Sequence, residues 1–237
     1  MKKSPIYRTL LCLLATICLT AALSACAGEI LHQETVDGLT YTLHGTSERV
    51  EQITVTRDGK RIGAYQKRGL QGIGQVEHYG FRLIDLNFDG NADMQLLIAR
   101  GDNGDVYATY LWNESDEKYV YHSALSTMQD VGAITALGAV TARDYKVEID
   151  PATDDTPEFE IITKSFVIYR WQGNNLTPIH RKDLTYYEES DIYCYFITEV
   201  NEGGEWETVR ESWITAERFD PEKCPLNANG FEGYVNP

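Results

Sequence analysis

Basic residues are in short supply. Lys and Arg number 21 against 36 Asp and Glu, leaving a formal charge of −15. That deficit excludes nucleic acid as a partner, because phosphate binding needs a basic footprint. It favours cationic partners, metal ions or basic proteins, and it keeps the chain soluble. Catalytic signatures are missing as well. His32, His44, His78, His122 and His180 are scattered, with no His-Glu-x-x-His pair, no Gly-x-Ser-x-Gly elbow and no Gly-rich phosphate loop. Acid neighbours such as Glu188 and Glu189, if on a strand, would point to opposite faces of it. The chain is therefore not expected to be an enzyme. Helix signal is almost absent, and the apolar run near the N-terminus, Leu10 to Leu23, has 14 residues where a membrane span needs ~20.

That run does have an explanation. It follows Lys2, Lys3 and Arg8 and ends in Leu23-Ser24-Ala25-Cys26. A basic start, a short apolar stretch and small residues before a cut site make a secretory signal over residues 1–25. The final four residues resemble the lipobox of bacterial lipoproteins, which implies lipidation of Cys26 with a fatty acid such as palmitate. The expected product is a lipoprotein anchored to a membrane on its extracytoplasmic face, in the periplasm or at the cell surface. Cys26 to Glu29 would be a short tether, and residues 30–237 a single domain. Losing residues 1–25 removes three bases and no acid, so the charge of −15 becomes −18. Cys12 and Cys18 leave with the signal. Cys194 and Cys224 remain, an even pair in an exported chain. One disulfide between them is expected, contributing ~3 kcal/mol for a loop of about 30 residues; two buried free thiols are the alternative.

The mature chain is rich in Tyr, Val, Ile, Thr and Trp in short runs broken by Gly, Asn and Asp. This predicts an all-β fold of antiparallel hairpins with little helix, either propeller-like or a sandwich. Ile53 to Tyr65 reads as a hairpin around Asp58-Gly59, a pair that supplies the positive φ such turns require. Further strand pairs are expected at Phe81–Leu86 with Met94–Ala99, and at Val106–Trp112 with Tyr119–His122. Two more should join Glu160–Trp171 to Leu176–His180 and Ile192–Val200 to Trp206–Trp213. Ser123 to Asp154 reads weakly, with a helical turn near Ser126–Asp130 and an exposed loop from Asp150. Trp171, Trp206 and Trp213 read first as cross-strand packing and secondly as a glycan-binding platform.

One segment carries chemistry. In Asp85-Leu86-Asn87-Phe88-Asp89-Gly90-Asn91-Ala92-Asp93, oxygen groups fall at positions 1, 3, 5 and 9 with glycine at 6. Calcium takes six to eight hard oxygen ligands, and EF-hand loops deliver them at this spacing. Asp85, Asn87, Asp89 and Asp93 would give side-chain oxygens and Asn91 its backbone carbonyl. Position 12, normally a bidentate Glu, is Leu96, and strands rather than helices flank the loop. The loop thus resembles the calcium loops of integrin-type FG-GAP propeller repeats.

Taken with Tyr110-Leu111-Trp112-Asn113, Lys118-Tyr119-Val120 and Tyr169-Arg170-Trp171-Gln172-Gly173, the loop resembles a family of exported bacterial proteins built around an "NFDG" sequence. That family includes periplasmic immunity proteins against lysozyme-like toxins of type IV secretion systems. The resemblance implies a propeller-like β core, a calcium site and inhibition of a cationic cell-wall hydrolase. A structural or glycan-binding envelope lipoprotein is the competing expectation.

Overall fold

The computed structural model describes residues 28–66, 68–101, 104–151, 158–200 and 204–226. The signal segment and Cys26 lie outside them. The fold is all-β, as the sequence predicts, and every strand pairing is antiparallel. Where the sequence reads as one domain, the chain divides into two compact units, 1–80 and 81–237.

The first unit is a four-stranded meander of β1 (Glu29–Val36), β2 (Leu39–Thr46), β3 (Arg49–Arg57) and β4 (Lys60–Tyr65). Strand β2 alternates buried and half-buried residues, so Leu39, Tyr41 and Leu43 face inward with Val50, Ile53 and Val55 of β3. The β3–β4 turn is Asp58-Gly59, with φ of 49° and 75°. Positive φ at both central residues matches the right-handed twist of the strands it joins. Asp37-Gly38, at 50° and 77°, closes β1 onto β2 in the same way.

The second unit is one ten-stranded sheet. Its first strands are β5 (Phe81–Ile84), β6 (Asp93–Gly101), β7 (Gly104–Asn113) and β8 (Lys118–Tyr121). Next come β9 (Gln129–Ile134), β10 (Ala139–Asp150), β11 (Phe159–Gln172) and β12 (Asn175–Tyr187), then β13 (Ile192–Val200) and β14 (Trp206–Thr215). The order runs β14-β13-β12-β11-β10-β9-β7-β6-β5, with β8 paired to β7 off this path. This is a continuous meander, not a set of separate propeller blades. Sheets this long curl, and a cluster of Leu86, Leu125, Val131, Val140 and Ala142 joins the β5–β6 loop to the middle of the sheet. The other face of the same strands buries Ala139, Phe166 and Ile168 against Leu226. Strand β11 is therefore apolar on both faces at Phe166-Val167-Ile168.

Two expectations change here. The weak stretch 123–154 holds two strands, β9 and β10. Its helical turn comes earlier than expected, with Ser126 N–H donating to His122 O at 3.1 Å. Strand β10 was hidden because beyond Ala142 its residues are largely exposed and charged, and it is held by its ladder to β11 rather than by apolar burial.

The expected Cys194–Cys224 disulfide is not formed; both are buried free thiols. Burial pushes the Cys194 thiol up to about 11, with Glu211 adding to the shift. Cys224 instead adjoins Arg210 and Tyr195. Residues 194 and 195 point to opposite faces of β13, so the two thiols pack on different sides of it. Other contacts hold the C-terminal segment. Phe219 stacks on Tyr193 at 4.2 Å, and Tyr195 Oη donates to Pro225 O at 3.4 Å.

Candidate functional site

The Asp85–Asp93 loop connects β5 to β6, where the sequence places it. Gly90 has φ of 87° and open space where a Cβ would stand, so its requirement is conformational. Phe88 also adopts positive φ, 60°, and its ring packs against the Leu86–Val140 cluster. Non-glycine residues resist this backbone region, and the packing of the half-buried ring offsets the cost. Leu96, at position 12, is buried in β6 opposite Phe81, so no ligand can come from there.

The four acidic and amide side chains differ sharply in environment. Asp93 is 0% exposed. Its Oδ2 accepts from Leu86 N–H at 2.8 Å and its Oδ1 from Trp112 N–H at 2.8 Å, tying the loop to β7. Burial raises the Asp93 carboxyl from 3.8 to about 7; the two amide donors oppose this, and Asp89 and Asp85 add to it. Asp85 Oδ2 accepts from Gly90 N–H at 3.0 Å. Asp85 Oδ1 is buried with no hydrogen-bond partner among the described residues. Asp89 Oδ1 accepts from Asn91 N–H at 2.8 Å, and Asp89 Oδ2 from Asn87 Nδ2 at 2.9 Å. Asn87 Oδ1 in turn accepts from Asp89 N–H at 3.2 Å. All five sequence-predicted residues thus belong to one hydrogen-bonded loop, Asn91 through its N–H. Among the described residues no group of three or more His, Cys, Asp and Glu side chains stands as a metal-holding group. The carboxylates are turned onto amides of the loop and, at Asp93 Oδ1, onto that of Trp112 in β7. Asp85 Oδ1 is the oxygen left over, and a buried carboxylate oxygen without a donor suits a hard cation.

Sequence reasoning missed the surroundings. A groove of about 510 Å³ opens beside the loop, with Asn87, Trp112, Asn113, Val120, His122 and Trp171 in its walls. Its residues come from the loop, β7, β8 and the residue after it, the end of β11 and the β11–β12 turn, so only the sheet's curl assembles it. Trp171 Nε1 donates to Leu86 O at 2.7 Å, locking the indole across the loop. The imidazole of His122 meets that indole edge-on at 5.4 Å. Trp206 and Trp213, by contrast, are exposed on β14, and Trp213 stacks on Tyr187 at 5.8 Å. The three tryptophans do not share one platform.

Two other polar assemblies lay beyond reach of the sequence. Arg82 Nε donates to Gln95 Oε1 at 2.7 Å, and Gln95 Nε2 to Thr109 Oγ1 at 2.9 Å, a buried row across β5, β6 and β7. In the first unit, His32 and His78 meet at 5.0 Å.

No protein-family model matches the chain, and no curated protein matches it. Among solved structures the chain is similar to that of a Xanthomonas protein related to a type IV secretion system. The TM-score is 0.47 at 15% identity, covering 78% of this chain and 97% of that one.

Proposed function

We propose that this chain is a calcium-stabilised extracytoplasmic lipoprotein, anchored through Cys26, that works as a binding module against a cationic cell-wall hydrolase. The observation that carries the calcium part is the pairing of buried Asp93 with Asp85 Oδ1, which is buried and lacks a donor. Two or three carboxylates held together repel by ~1 to 4 kcal/mol per pair, depending on the local dielectric. A bound calcium ion supplies the compensating charge. Asp85, Asn87, Asp89 and Asp93 would hold it, with the Asn91 carbonyl completing the set. The hydrolase part rests on the acidity of the chain, −15 overall, which would steer a basic enzyme toward it. It rests also on the resemblance of the loop and its flanking hairpins to the NFDG-loop immunity proteins.

Calorimetric titration of chelator-treated protein with calcium is the first test. One site per chain is expected, with magnesium a poor substitute because it demands a tighter octahedral shell. Absence of binding at millimolar calcium, with no change in melting temperature in excess chelator, would leave only a polar turn. Stoichiometric mixing with a lysozyme-like hydrolase should lower its turnover; undiminished turnover removes the inhibitor reading. Cys26→Ser should move the protein from membranes to a soluble exported fraction, and retention on membranes would defeat the anchor.

A further inference from the structure

The groove beside the loop has a chemistry that binding a cationic enzyme does not use. In a chain carrying 36 acidic and 21 basic side chains, none of its lining residues is Asp, Glu, Lys or Arg. Its one ionisable side chain, His122, is held below its ordinary value by burial and is neutral at pH 7. His122 Nδ1 accepts from Leu125 N–H at 3.2 Å, which leaves the proton on Nε2 as a donor. Asn113 Oδ1 is occupied by Ser115 Oγ at 2.7 Å and Asp116 N–H at 3.1 Å. The Asn113 amide hydrogens have no acceptor among the described residues. Trp171 contributes an aromatic surface whose tilt is fixed by its bond to Leu86 O, and Leu111 and Val120 contribute apolar wall.

We propose that this groove is a saccharide-binding site that takes N-acetylated amino sugars of the kind that build cell walls. A pyranose ring presents an apolar C–H face, which suits an indole, and a rim of hydroxyls, which suits fixed neutral donors. The acetamido oxygen accepts from an amide such as that of Asn113. An ionic ligand would find no counter-charge here, and a purely aliphatic one would strip water from donors it could not pair. The cavity lies within the ~300–1,000 Å³ range of small-ligand sites. The hydrolase partner and the sugar would then use different surfaces, the first acidic and the second neutral. This places the module on the wall polymer that the hydrolase attacks.

The test is calorimetric titration of the purified protein with the β-1,4-linked trimer of N-acetylglucosamine, with tryptophan emission read in parallel. Saturable binding is expected, accompanied by a change in emission. Val120 is 44% exposed, so Val120→Glu should fold with an unchanged melting temperature. It sets a charge in the wall and should weaken binding about tenfold or more. Trp213→Ala, away from the groove, should leave affinity unaltered. No saturation by about 10 mM trimer overturns the proposal, as does a Val120→Glu protein that binds like the parent. Equal binding of a glucose trimer lacking acetamido groups overturns the assignment to amino sugars. Calcium titration and hydrolase turnover on the same Val120→Glu protein should match the parent, so loss of sugar binding alone separates this inference from the proposed function.

Discussion

Two acidic, Asx-rich hairpin loops flank the same groove, and they behave differently. The β7–β8 loop, Asn113-Glu114-Ser115-Asp116-Glu117, is a solvated turn. Asn113 Oδ1 accepts from Ser115 and Asp116, and Lys118 Nζ sits 3.0 Å from Asp116 Oδ2. Exposed pairs of that kind contribute roughly 0–1 kcal/mol. The Asp85–Asp93 loop is as acidic, yet it sends one carboxylate fully inside and leaves one oxygen of another buried without a donor. Acidic composition therefore does not set a carboxylate's environment. Burial does, because only there does an uncompensated carboxylate become expensive.

The comparison can be broken most directly at Asp93. Asp93→Ala orphans the buried Leu86 and Trp112 amides, at ~1–3 kcal/mol each, and removes a proposed ligand. A loss on the order of 5 kcal/mol is expected from urea unfolding in calcium. A loss under about 1 kcal/mol would mean the amides find other partners.

The pH dependence is the next largest effect. In calcium-free protein the Asp93 carboxyl is raised from 3.8 to about 7, chiefly by burial. A raised acid stabilises the fold fully below its unfolded value and loses that contribution as pH climbs through its folded value. Stability attributable to Asp93 should therefore fall between about pH 4 and pH 7, by about 4 kcal/mol at most. The readout is the stability gap between parent and Asp93→Asn across that window, without and with calcium. The gap should shift against the parent as pH rises, and calcium should flatten it. A gap independent of pH would place the carboxyl in a wetter site.

Calcium itself comes third. At free ion 100 times the dissociation constant the gain is ~2.7 kcal/mol, a rise of about 5–10 °C for a domain of this size. Asp89→Ala should lose most of that rise in a thermal melt, and Asp116→Ala none of it. Equal loss in both would dissolve the distinction between the loops. Smallest of all, Asp116→Ala should alter stability by less than about 0.5 kcal/mol in either condition, since only an exposed ion pair goes. A larger cost by urea unfolding would show that the turn is structural.

Local signals were legible where backbone chemistry is local. The Asp58-Gly59 turn, the β5–β6 hairpin around its loop and the strands β13 and β14 all follow from turn residues between β-branched and aromatic runs. Asp37-Gly38 carried the same signal and marks a hairpin just as well. The signals failed for β10, whose outer half is almost wholly exposed, and for the cysteines, whose even count says nothing about which face of β13 each packs against. Pro178 shows the limit from the other side. It sits inside β12, tolerated because it lies beside a register shift and beyond the pairing with β13.

By itself, the sequence determined the all-β class, the hairpin turns and the oxygen spacing of the Asp85–Asp93 loop. These depend on positive φ, on side-chain alternation and on residues within nine positions of one another. Only the tertiary structure decided that Asp93 is buried and accepts from the Trp112 amide, and that Trp171 donates to the carbonyl of Leu86, 85 residues away in the chain. It also decided that an uncharged groove opens beside an acidic loop. Burial and enclosure are properties of a curled sheet, set by which distant strands it brings face to face, and no local run of residues encodes them.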